Sequence, residues 1–420
     1  MHPKLCLALA FILVSSLFPS QPLLADWPQL RGPDQDGKAT VSDIFDGPIE
    51  LTVSWRRPLG KGYSQVVVAD DVAVTLYADP RSDRDVVAAF DTANGSLRWS
   101  VALAETYRGH NGSDDGPIAT PTIAGKTVYA LGPRGQLVAV ELSTGKERWR
   151  RDLVATGDAR KPFYGFSTSP YVLADRAHGD RLVLMTGRAD GRTLTAFDPA
   201  TGEPLWRRGD DTSEHTTILD TRLGDRRQLV AFTNQHLIGL DPIDGRERWR
   251  QRLDTGEIYE TLGMAVRVDD DGLLVQRWEE SVLYRLGADG AIGEAWRSNQ
   301  LKASYSVPIH HDGHVYGYNG RFLTCVDAKT GKQVWKSRPP GGHGNMLLAG
   351  RHFLTVGDDG DLVAFAASPE GYRETARLAT VLSSASITAP SLSDDRMYLR
   401  DGESLVAVKV VAKPLPKTDD

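Results

Sequence analysis

The sequence predicts an all-β protein, namely an eight-bladed β-propeller built from four-stranded antiparallel blades. Two observations lead to this fold. A strand–turn–strand unit recurs along the chain, and each chain end carries the part of that unit that the other end lacks. Joining the ends would complete the last unit, so we expect the N-terminal strand to close the ring. Closure removes exposed sheet edges.

The recurring unit is clearest in residues 323–335. An apolar strand is followed by an acidic residue, a Gly four positions later and a Trp four positions after that. Gly331 can adopt the positive φ of a tight turn, and Asp327 can bond the turn backbone. Trp335 is expected to pack between neighbouring blades. The same spacing ends at Trp99, Trp149, Trp206 and Trp249.

The remaining blades show weaker versions of the unit. Trp55 lies in a segment that resembles the last strand of a repeat, Trp296 follows a degenerate turn, and the unit that ends near Arg377 has no Trp. The spacing of these markers leaves room for four short strands per unit. In one well-defined unit the first three strands are predicted at residues 119–123, 127–131 and 136–140.

Four segments are predicted along the chain. Residues 1–25 have a basic start, an apolar core and a cleavage site near Ala25, which is the pattern of a signal peptide. Residues 26–50 lack strand alternation and are expected to lie on the domain surface as an extended arm. Residues 51–412 form the propeller, and the polar tail 413–420 is expected to be disordered. The mature protein is therefore predicted to be periplasmic or secreted.

The composition argues against several classes of protein. Hydrophobic residues at 40% and charged residues at 25% are typical of a globular protein, and a net charge of −6 does not favour nucleic-acid binding. The N-terminal apolar run is too short for a membrane span. Cys325 is the sole cysteine of the mature chain, so no internal disulfide is predicted, and its strand position indicates a buried apolar role. We expect a monomer.

The units resemble those of the pyrroloquinoline-quinone (PQQ) enzyme-like propeller superfamily, whose repeats read Asp-Ala-x-Thr-Gly-x-x-x-Trp. Residues 327–335 fit this pattern closely, and residues 198–206 fit nearly as well. The superfamily includes quinoprotein dehydrogenases, which hold PQQ and calcium at the axis. It also includes non-catalytic propellers, such as the lipoprotein subunit of the bacterial outer-membrane β-barrel assembly machinery. Residues 27–33 resemble the start of secreted PQQ-like repeat proteins of planctomycete-type bacteria. The resemblance implies the fold and does not imply an activity.

Polar and aromatic residues are concentrated in the predicted connections between blades. These connections crowd one end of a propeller channel, where Arg and aromatic side chains can bind a small anionic or planar ligand. The alternative is that small and polar residues there only permit packing and face channel water. The candidate mouth residues are Arg108, His110, Asn111, Tyr164, His215, Tyr259, Glu260, Tyr305, His343 and Asn345.

Sequence motifs assign no catalytic residue. The chain lacks the vicinal Cys-Cys pair of many quinoprotein dehydrogenases, and no motif transfers their calcium-binding Glu, Asn and Asp. The His-rich segment 310–314 suggests zinc, but Asp312 and Gly313 predict a hairpin that places His310 and His311 on opposite faces. We predict no metal site and no resident cofactor, with PQQ and calcium as the alternative.

The preferred functional interpretation is an exported, non-catalytic scaffold that binds another exported or envelope protein, or a small ligand. The alternative is a PQQ-dependent oxidoreductase of the alcohol or sugar dehydrogenase type, with the cofactor at the channel mouth. A structural domain of a larger exported assembly is a third interpretation, which the sequence does not separate from the first.

Overall fold

Eight four-stranded antiparallel blades surround a central channel, which confirms the predicted propeller. The computed structural model describes residues 26–40, 43–111, 113, 115–213, 215–253, 262–277, 279–302, 306–339, 344–384, 386 and 388–414. In this part of the chain the helical content is a single 3₁₀ turn. Within each blade the first strand lines the channel and the fourth forms the perimeter.

The N-terminal part and the first half of the ring contain strands β1 to β19. The N-terminal elements are β1 (Lys38–Ala39), the 3₁₀ turn (Asp43–Asp46) and β2 (Ile49–Pro58). Blade 1 is β3 (Val67–Ala69), β4 (Val72–Asp79), β5 (Arg84–Asp91) and β6 (Leu97–Glu105). Blade 2 is β7 (Thr122–Ala124), β8 (Thr127–Leu131), β9 (Gln136–Glu141) and β10 (Glu147–Asp152). Blade 3 is β11 (Tyr171–Leu173), β12 (Arg181–Arg188), β13 (Arg192–Phe197) and β14 (Pro204–Arg208). Next come β15 (His215–Thr216) and blade 4, which is β16 (Leu219–Leu223), β17 (Arg226–Phe232), β18 (His236–Leu240) and β19 (Glu247–Arg252).

The second half of the ring contains strands β20 to β35. The short strand β20 (Leu262–Gly263) pairs with β15 in parallel. Blade 5 is β21 (Val266–Val268), β22 (Gly272–Gln276), β23 (Ser281–Leu286) and β24 (Ile292–Ser298). Blade 6 is β25 (Ile309–His311), β26 (His314–Asn319), β27 (Phe322–Asp327) and β28 (Gln333–Ser337). Blade 7 is β29 (Met346–Ala349), β30 (His352–Val356), β31 (Leu362–Ala366) and β32 (Glu374–Leu378). Blade 8 begins with β33 (Ser391–Ser393), β34 (Arg396–Arg400) and β35 (Ser404–Ala412).

Blade 8 is completed by the N-terminal strand β2. This strand pairs with β35 antiparallel along its whole length, from Ile49 opposite Ala412 to Pro58 opposite Ser404. The predicted ring closure is therefore confirmed. It satisfies the backbone donors and acceptors of β35 that would otherwise form an open edge.

Neighbouring blades are locked together by the repeated Trp and Gly. Trp99 lies so close to the next blade that a Cβ added at Gly145 would lie 2.7 Å from the indole ring. Gly145 has a φ of +70°, and the indole N–H of Trp99 donates to the carbonyl of Leu142 at 2.8 Å. The motif thus needs Gly both for its backbone conformation and for the close approach of the ring. Equivalent pairs are Trp55 with Gly95, Trp149 with Gly202, Trp206 with Gly245 and Trp296 with Gly331.

The outermost hairpin of all eight blades contains a bulge beside the Trp position. In blade 2 the register shifts between Glu147 and Trp149, and the other seven blades shift at the equivalent place. Because strand side chains alternate, the extra residue brings the positions before and after it onto one face. Glu147 and Arg150 can therefore pair along the perimeter, at 2.7 Å.

The N-terminal arm enters the channel, and the expectation that it lies on the domain surface is wrong. Trp27, Arg31 and Gln35 are only 1%, 5% and 5% exposed. Trp27 exchanges backbone hydrogen bonds with Val68 in the inner strand of blade 1, and β1 adds in parallel to the inner strand of blade 7. The arm closes the channel end at which the first two strands of each blade are joined by turns.

Buried polar side chains hold the arm in place. The guanidinium of Arg31 donates to the carbonyls of Val307 and Pro308 at 3.1 and 3.0 Å. The Gln35 amide donates to the carbonyl of Ile218 at 2.9 Å. Burial lowers the pKa of Arg31 to about 10, so the side chain stays charged at neutral pH. Such contacts between residues far apart in sequence leave no local pattern, and for this reason the sequence did not reveal the plug.

Candidate functional site

The mouth of the channel lies at the end where successive blades are joined to one another. It is formed by connections that lead from the outer strand of one blade to the inner strand of the next. Residues 106–121, 153–170 and 209–218 are three such connections, and they follow blades 1, 2 and 3. An antiparallel blade of four strands begins and ends at the same level of the ring, so these connections lie side by side.

A belt of hydrogen bonds aligns the connections of the first four blades. The backbone N–H of Gln65 donates to the hydroxyl of Thr120, and that of Thr120 donates to the hydroxyl of Ser169. The backbone N–H of Ser169 in turn donates to the hydroxyl of Thr217, and all three bonds measure 3.0 Å. These hydroxyls are buried and each already accepts a hydrogen bond, so their role is to hold the connections of the mouth together.

Aromatic rings from successive connections contact one another. We call Tyr107, His110, Phe163, Tyr164 and His215 the mouth cluster. The His110 ring is stacked 5.3 Å from Tyr164 and contacts Phe163 edge-on at 4.4 Å. Tyr164 lies 5.8 Å from His215, measured between ring centroids. Phe163 is 56% exposed, so the cluster offers an aromatic surface to solvent.

Hydrogen bonds beneath the rings hold the mouth cluster. The Tyr107 hydroxyl donates to the Phe163 carbonyl at 3.0 Å, which ties two connections together. The Tyr107 backbone N–H donates to the Asp85 carboxylate at 2.9 Å. The Ser167 hydroxyl lies 2.8 Å from Nδ1 of His215. An exposed ring on a braced support loses little conformational entropy when a partner binds.

Burial sets the charge of Asp85, beside the cluster, and of His215, within it. Asp85 is fully buried, and this burial raises the pKa of its carboxyl to about 6, although the Tyr107 N–H acts in the opposite direction. Burial lowers the pKa of His215 to about 4. His215 is therefore neutral at pH 7, which favours aromatic and neutral polar contacts there.

The structure brings together only some of the predicted mouth residues. His110, Tyr164 and His215 join the cluster. Arg108 is exposed and pairs with Asp83 and Asp115, the latter at 2.8 Å. Asn111 occupies a turn at φ +53°, and Asn345 is a buried residue whose carbonyl accepts from Thr355 at 3.0 Å. Tyr259, Glu260, Tyr305 and His343 lie outside the described residues.

Two members of the cluster and one residue that supports it are not among the mouth residues predicted from the sequence. Tyr107 and Phe163 flank predicted candidates within the same connections, and large rings in Gly- and Ser-rich segments were an available signal. Asp85 could have been noticed as a carboxylate at the start of an apolar strand. Its link to Tyr107 joins different strands and becomes visible only in the fold.

Away from the mouth cluster, a cavity of about 680 Å³ adjoins the arm. Many of its charges are already paired, since Arg227 contacts Asp220 at 2.5 Å and Arg267 contacts Asp270 at 2.8 Å. His310, which raised the zinc alternative, lies 3.2 Å from Asp269. The predicted turn at residues 312–313 is present and places His311 opposite His314 in register.

The described residues show no ready-made cluster of metal ligands. In this part of the chain no group of three or more His, Cys, Asp or Glu side chains could hold a metal ion. Asp85, the buried carboxylate beside the mouth cluster, faces a backbone N–H. Cys325 is buried within blade 6.

Most of the chain matches one known sequence family. The family described as outer membrane protein assembly factor BamB matches residues 82–321 and 279–411. The chain belongs to this family. Its fold is accordingly a PQQ-like β-propeller of the BamB type, as the repeat pattern predicted.

Individual BamB proteins and one dehydrogenase show how far the likeness extends. The BamB protein of Moranella endobia is 26% identical over 324 residues, which cover 72% of this chain and 76% of the relative. The crystal structure of BamB from Moraxella catarrhalis has a TM-score of 0.61 at 16% identity and covers 86% of this chain, which supports the fold. Quinohemoprotein alcohol dehydrogenase ADH-IIG of Pseudomonas putida is 25% identical over 283 residues, but these make up only 36% of that enzyme.

Proposed function

We propose that this protein is an exported, non-catalytic propeller that binds another envelope protein during outer-membrane protein assembly. Family membership is the observation that carries this proposal, because the matching relatives are named as outer membrane protein assembly factors. The closed ring supports it, since a rigid scaffold can present loops to a partner at little entropic cost.

The mouth cluster is the proposed contact surface for the partner. Exposed aromatic rings are common anchors of protein interfaces, and Phe163 projects beside the stacked pair of His110 and Tyr164. Arg108 and Asn111, which are exposed, and the predicted residues outside the described part of the chain remain candidates for the rim of the same surface. No resident cofactor is proposed.

The proposed location is the periplasm or the outer side of the envelope. The basic and apolar start of residues 1–25 supports export, with cleavage near Ala25. Among the described residues, no helix has the length and apolar character to cross a membrane. We further propose that the mature protein acts as a monomer and that residues 413–420 form a disordered tail.

Site-specific cross-linking tests the proposed function. A photo-reactive phenylalanine analogue is placed at Phe163 and, as the control, at Leu205, which is 51% exposed on the perimeter. We expect position 163 to cross-link to an outer-membrane assembly protein in intact cells, and Leu205 to give no such product. Equal cross-linking at both positions, or none at position 163, would rule out the mouth cluster as the contact surface.

The second candidate function is PQQ-dependent oxidation of an alcohol or sugar, which the partial match to ADH-IIG favours. The purified mature protein is mixed with PQQ and Ca²⁺ and passed through gel filtration. The scaffold proposal predicts no quinone absorbance in the protein peak and no dye reduction with alcohols or sugars. Retained quinone together with turnover would establish the oxidoreductase.

A further inference from the structure

A basic cleft of about 600 Å³ lies between blade 6 and the connection that leads into it from blade 5. Lys302 reaches it from the connection between these blades, and Arg321 and Phe322 come from the turn between β26 and β27. Lys336 and Arg338 approach from the last strand of blade 6. We define the basic cleft by these five residues. It opens on the same side of the ring as the mouth cluster, because turns between second and third strands lie on that side.

Three of the four cations in the basic cleft have no carboxylate partner in the described part of the chain. Lys302 pairs with Glu279 at 2.5 Å. Arg321 and Arg338 are exposed and form no ion pair there, and the same holds for Lys336. The Lys336 ammonium lies 4.4 Å from the centroid of the Phe322 ring instead.

The other blades provide an internal comparison for this cleft. Next to the Trp position, four blades have a Glu and, three residues later, an Arg that pairs with it across the bulge. The pairs are Glu147 with Arg150 at 2.7 Å, Glu247 with Arg250 at 2.7 Å, Glu294 with Arg297 at 2.8 Å and Glu374 with Arg377 at 2.6 Å. Blade 6 has Gln333 and Lys336 at these positions. Blades 1, 3 and 8 also lack this Glu, and blade 6 combines its absence with a cation, Lys336, that has no carboxylate partner among the described residues.

Like charges that face one concave surface repel each other unless an anion lies between them. Gln333 is uncharged and so does not reduce this repulsion. The positive charges are also spread over three segments of chain, so they do not converge on one point as they would for a single phosphate. Several spaced carboxylates would match them better, and Phe322 adds an apolar contact.

We infer that the basic cleft binds an extended acidic segment of a partner protein. The inference rests on the proposed protein-binding function for the origin of that segment, whereas the recognition chemistry comes from the cleft itself. The cleft would be a second contact, separate from the mouth cluster, on the same side of the ring.

Fluorescein-labelled hexaglutamate is the probe, and its fluorescence anisotropy with the mature protein is measured at low salt. We expect binding that weakens as KCl is added. The double variant Arg321→Ala/Arg338→Ala should bind about tenfold more weakly. Gln333→Glu restores the carboxylate found in four other blades and should weaken binding about fivefold, because it pairs with Lys336.

A matched control separates a local effect from a change in net charge. Gln235→Glu adds the same charge at an exposed turn on the same side of the ring, in blade 4. It should bind the probe as the wild type does. All substituted positions are exposed, and unchanged thermal unfolding verifies that each variant is folded.

Three results would overturn the inference. The first is no binding of hexaglutamate to the wild type, and the second is equal binding by Gln333→Glu and Gln235→Glu. The third is binding to phosphatidylglycerol vesicles that the double variant loses while hexaglutamate binding is unaffected, which would indicate a lipid phosphate instead. Cross-linking at Phe163 is read independently, so failure here leaves the proposed function standing.

Discussion

Gly145 shows how a single residue sets the distance between two blades. Its φ of +70° suits the turn, and the indole of Trp99 occupies the space that a side chain would need. These two demands coincide at each Trp–Gly pair, which explains why the motif recurs with the same spacing. Tight packing of this kind tolerates added volume poorly.

Replacing Gly145 by Ala should destabilise the protein by about 3 kcal/mol, because the added methyl group meets the indole ring and the backbone has a positive φ. Gly313→Ala is the matched control, since Gly313 has a φ of +73° but no atom lies within 4 Å of its added Cβ. We expect a loss of only about 1 kcal/mol there. Urea unfolding measures the loss of stability in each variant. Equal losses would show that contact with the indole ring adds nothing to the cost of the substitution at Gly145.

The buried groups near the mouth predict two opposite effects of pH on stability. Asp85 has a folded pKa of about 6, above its ordinary value, so the folded state keeps a proton that the unfolded state has released. Its contribution therefore makes the protein less stable as pH rises from about 4 to about 6. His215 has a pKa lowered to about 4, so its contribution makes the protein more stable as pH rises from about 4 to about 6.5.

Single substitutions should separate these two effects. As the pH rises from 4 to 7, the stability of Asp85→Asn should increase relative to that of the wild type. The stability of His215→Asn should decrease relative to the wild type over the same range. Asp270→Asn, at an exposed turn, is the control. Free energies of unfolding from urea titrations at several pH values give the slopes. Parallel slopes for wild type and both variants would contradict the assignments.

Among the structural elements, the closing strand and the arm have different tasks. Strand β2 covers the edge of β35, and without it blade 8 would expose a strand with many unpaired backbone groups. The arm fills one end of the channel through buried contacts of Trp27 and Arg31, but it does not cover the outer strand of a blade. Loss of either should lower stability, and only loss of β2 should promote self-association.

Two deletions test this division. A mature chain without residues 26–58 should aggregate, and a synthetic peptide of residues 47–60 added during refolding should restore a monomer. A chain without residues 26–40 keeps β2 and should remain monomeric with a lower melting temperature. Light scattering and circular dichroism report these states. A monomeric, fully folded product of the longer deletion would show that closure by β2 is dispensable.

Across the whole molecule, closure makes the blades mutually dependent. Every blade contacts two neighbours, and the first and last are linked through β2 and through the Arg400 guanidinium, which donates to the Leu76 carbonyl at 2.6 Å. An open row of repeats could lose blades from its ends, whereas a ring has no end at which unfolding can begin.

The closed ring should therefore unfold in one cooperative transition. Tryptophan fluorescence reports the blade contacts, and far-ultraviolet circular dichroism reports the strands, so the two curves should coincide in urea. Separate transitions in the intact mature protein would contradict cooperative closure.

Sequence patterns predicted those features that depend on residues near one another in the chain. The spacing of Asp, Gly and Trp gave the blades, and the missing strand at each end gave the closure. One strand boundary was wrong, since β7 begins at Thr122 rather than at residue 119. Pro121 cannot donate to the sheet, and Thr120 bonds the mouth belt instead. In the mouth, the sequence indicated the connections but not how His110, Phe163 and Tyr164 meet.

The sequence by itself determined the repeat, the number of blades and the family. Each of these depends on the spacing of residues that are close together in the chain, and this spacing sets the positions of the turns and strands. Only the tertiary structure decided that the arm enters the channel, that Asp85 supports Tyr107 and that Lys336 lies over the Phe322 ring. These facts depend on contacts between distant parts of the chain. Burial and charge pairing at such contacts follow from the packing of the whole ring, and no local pattern of residues specifies them.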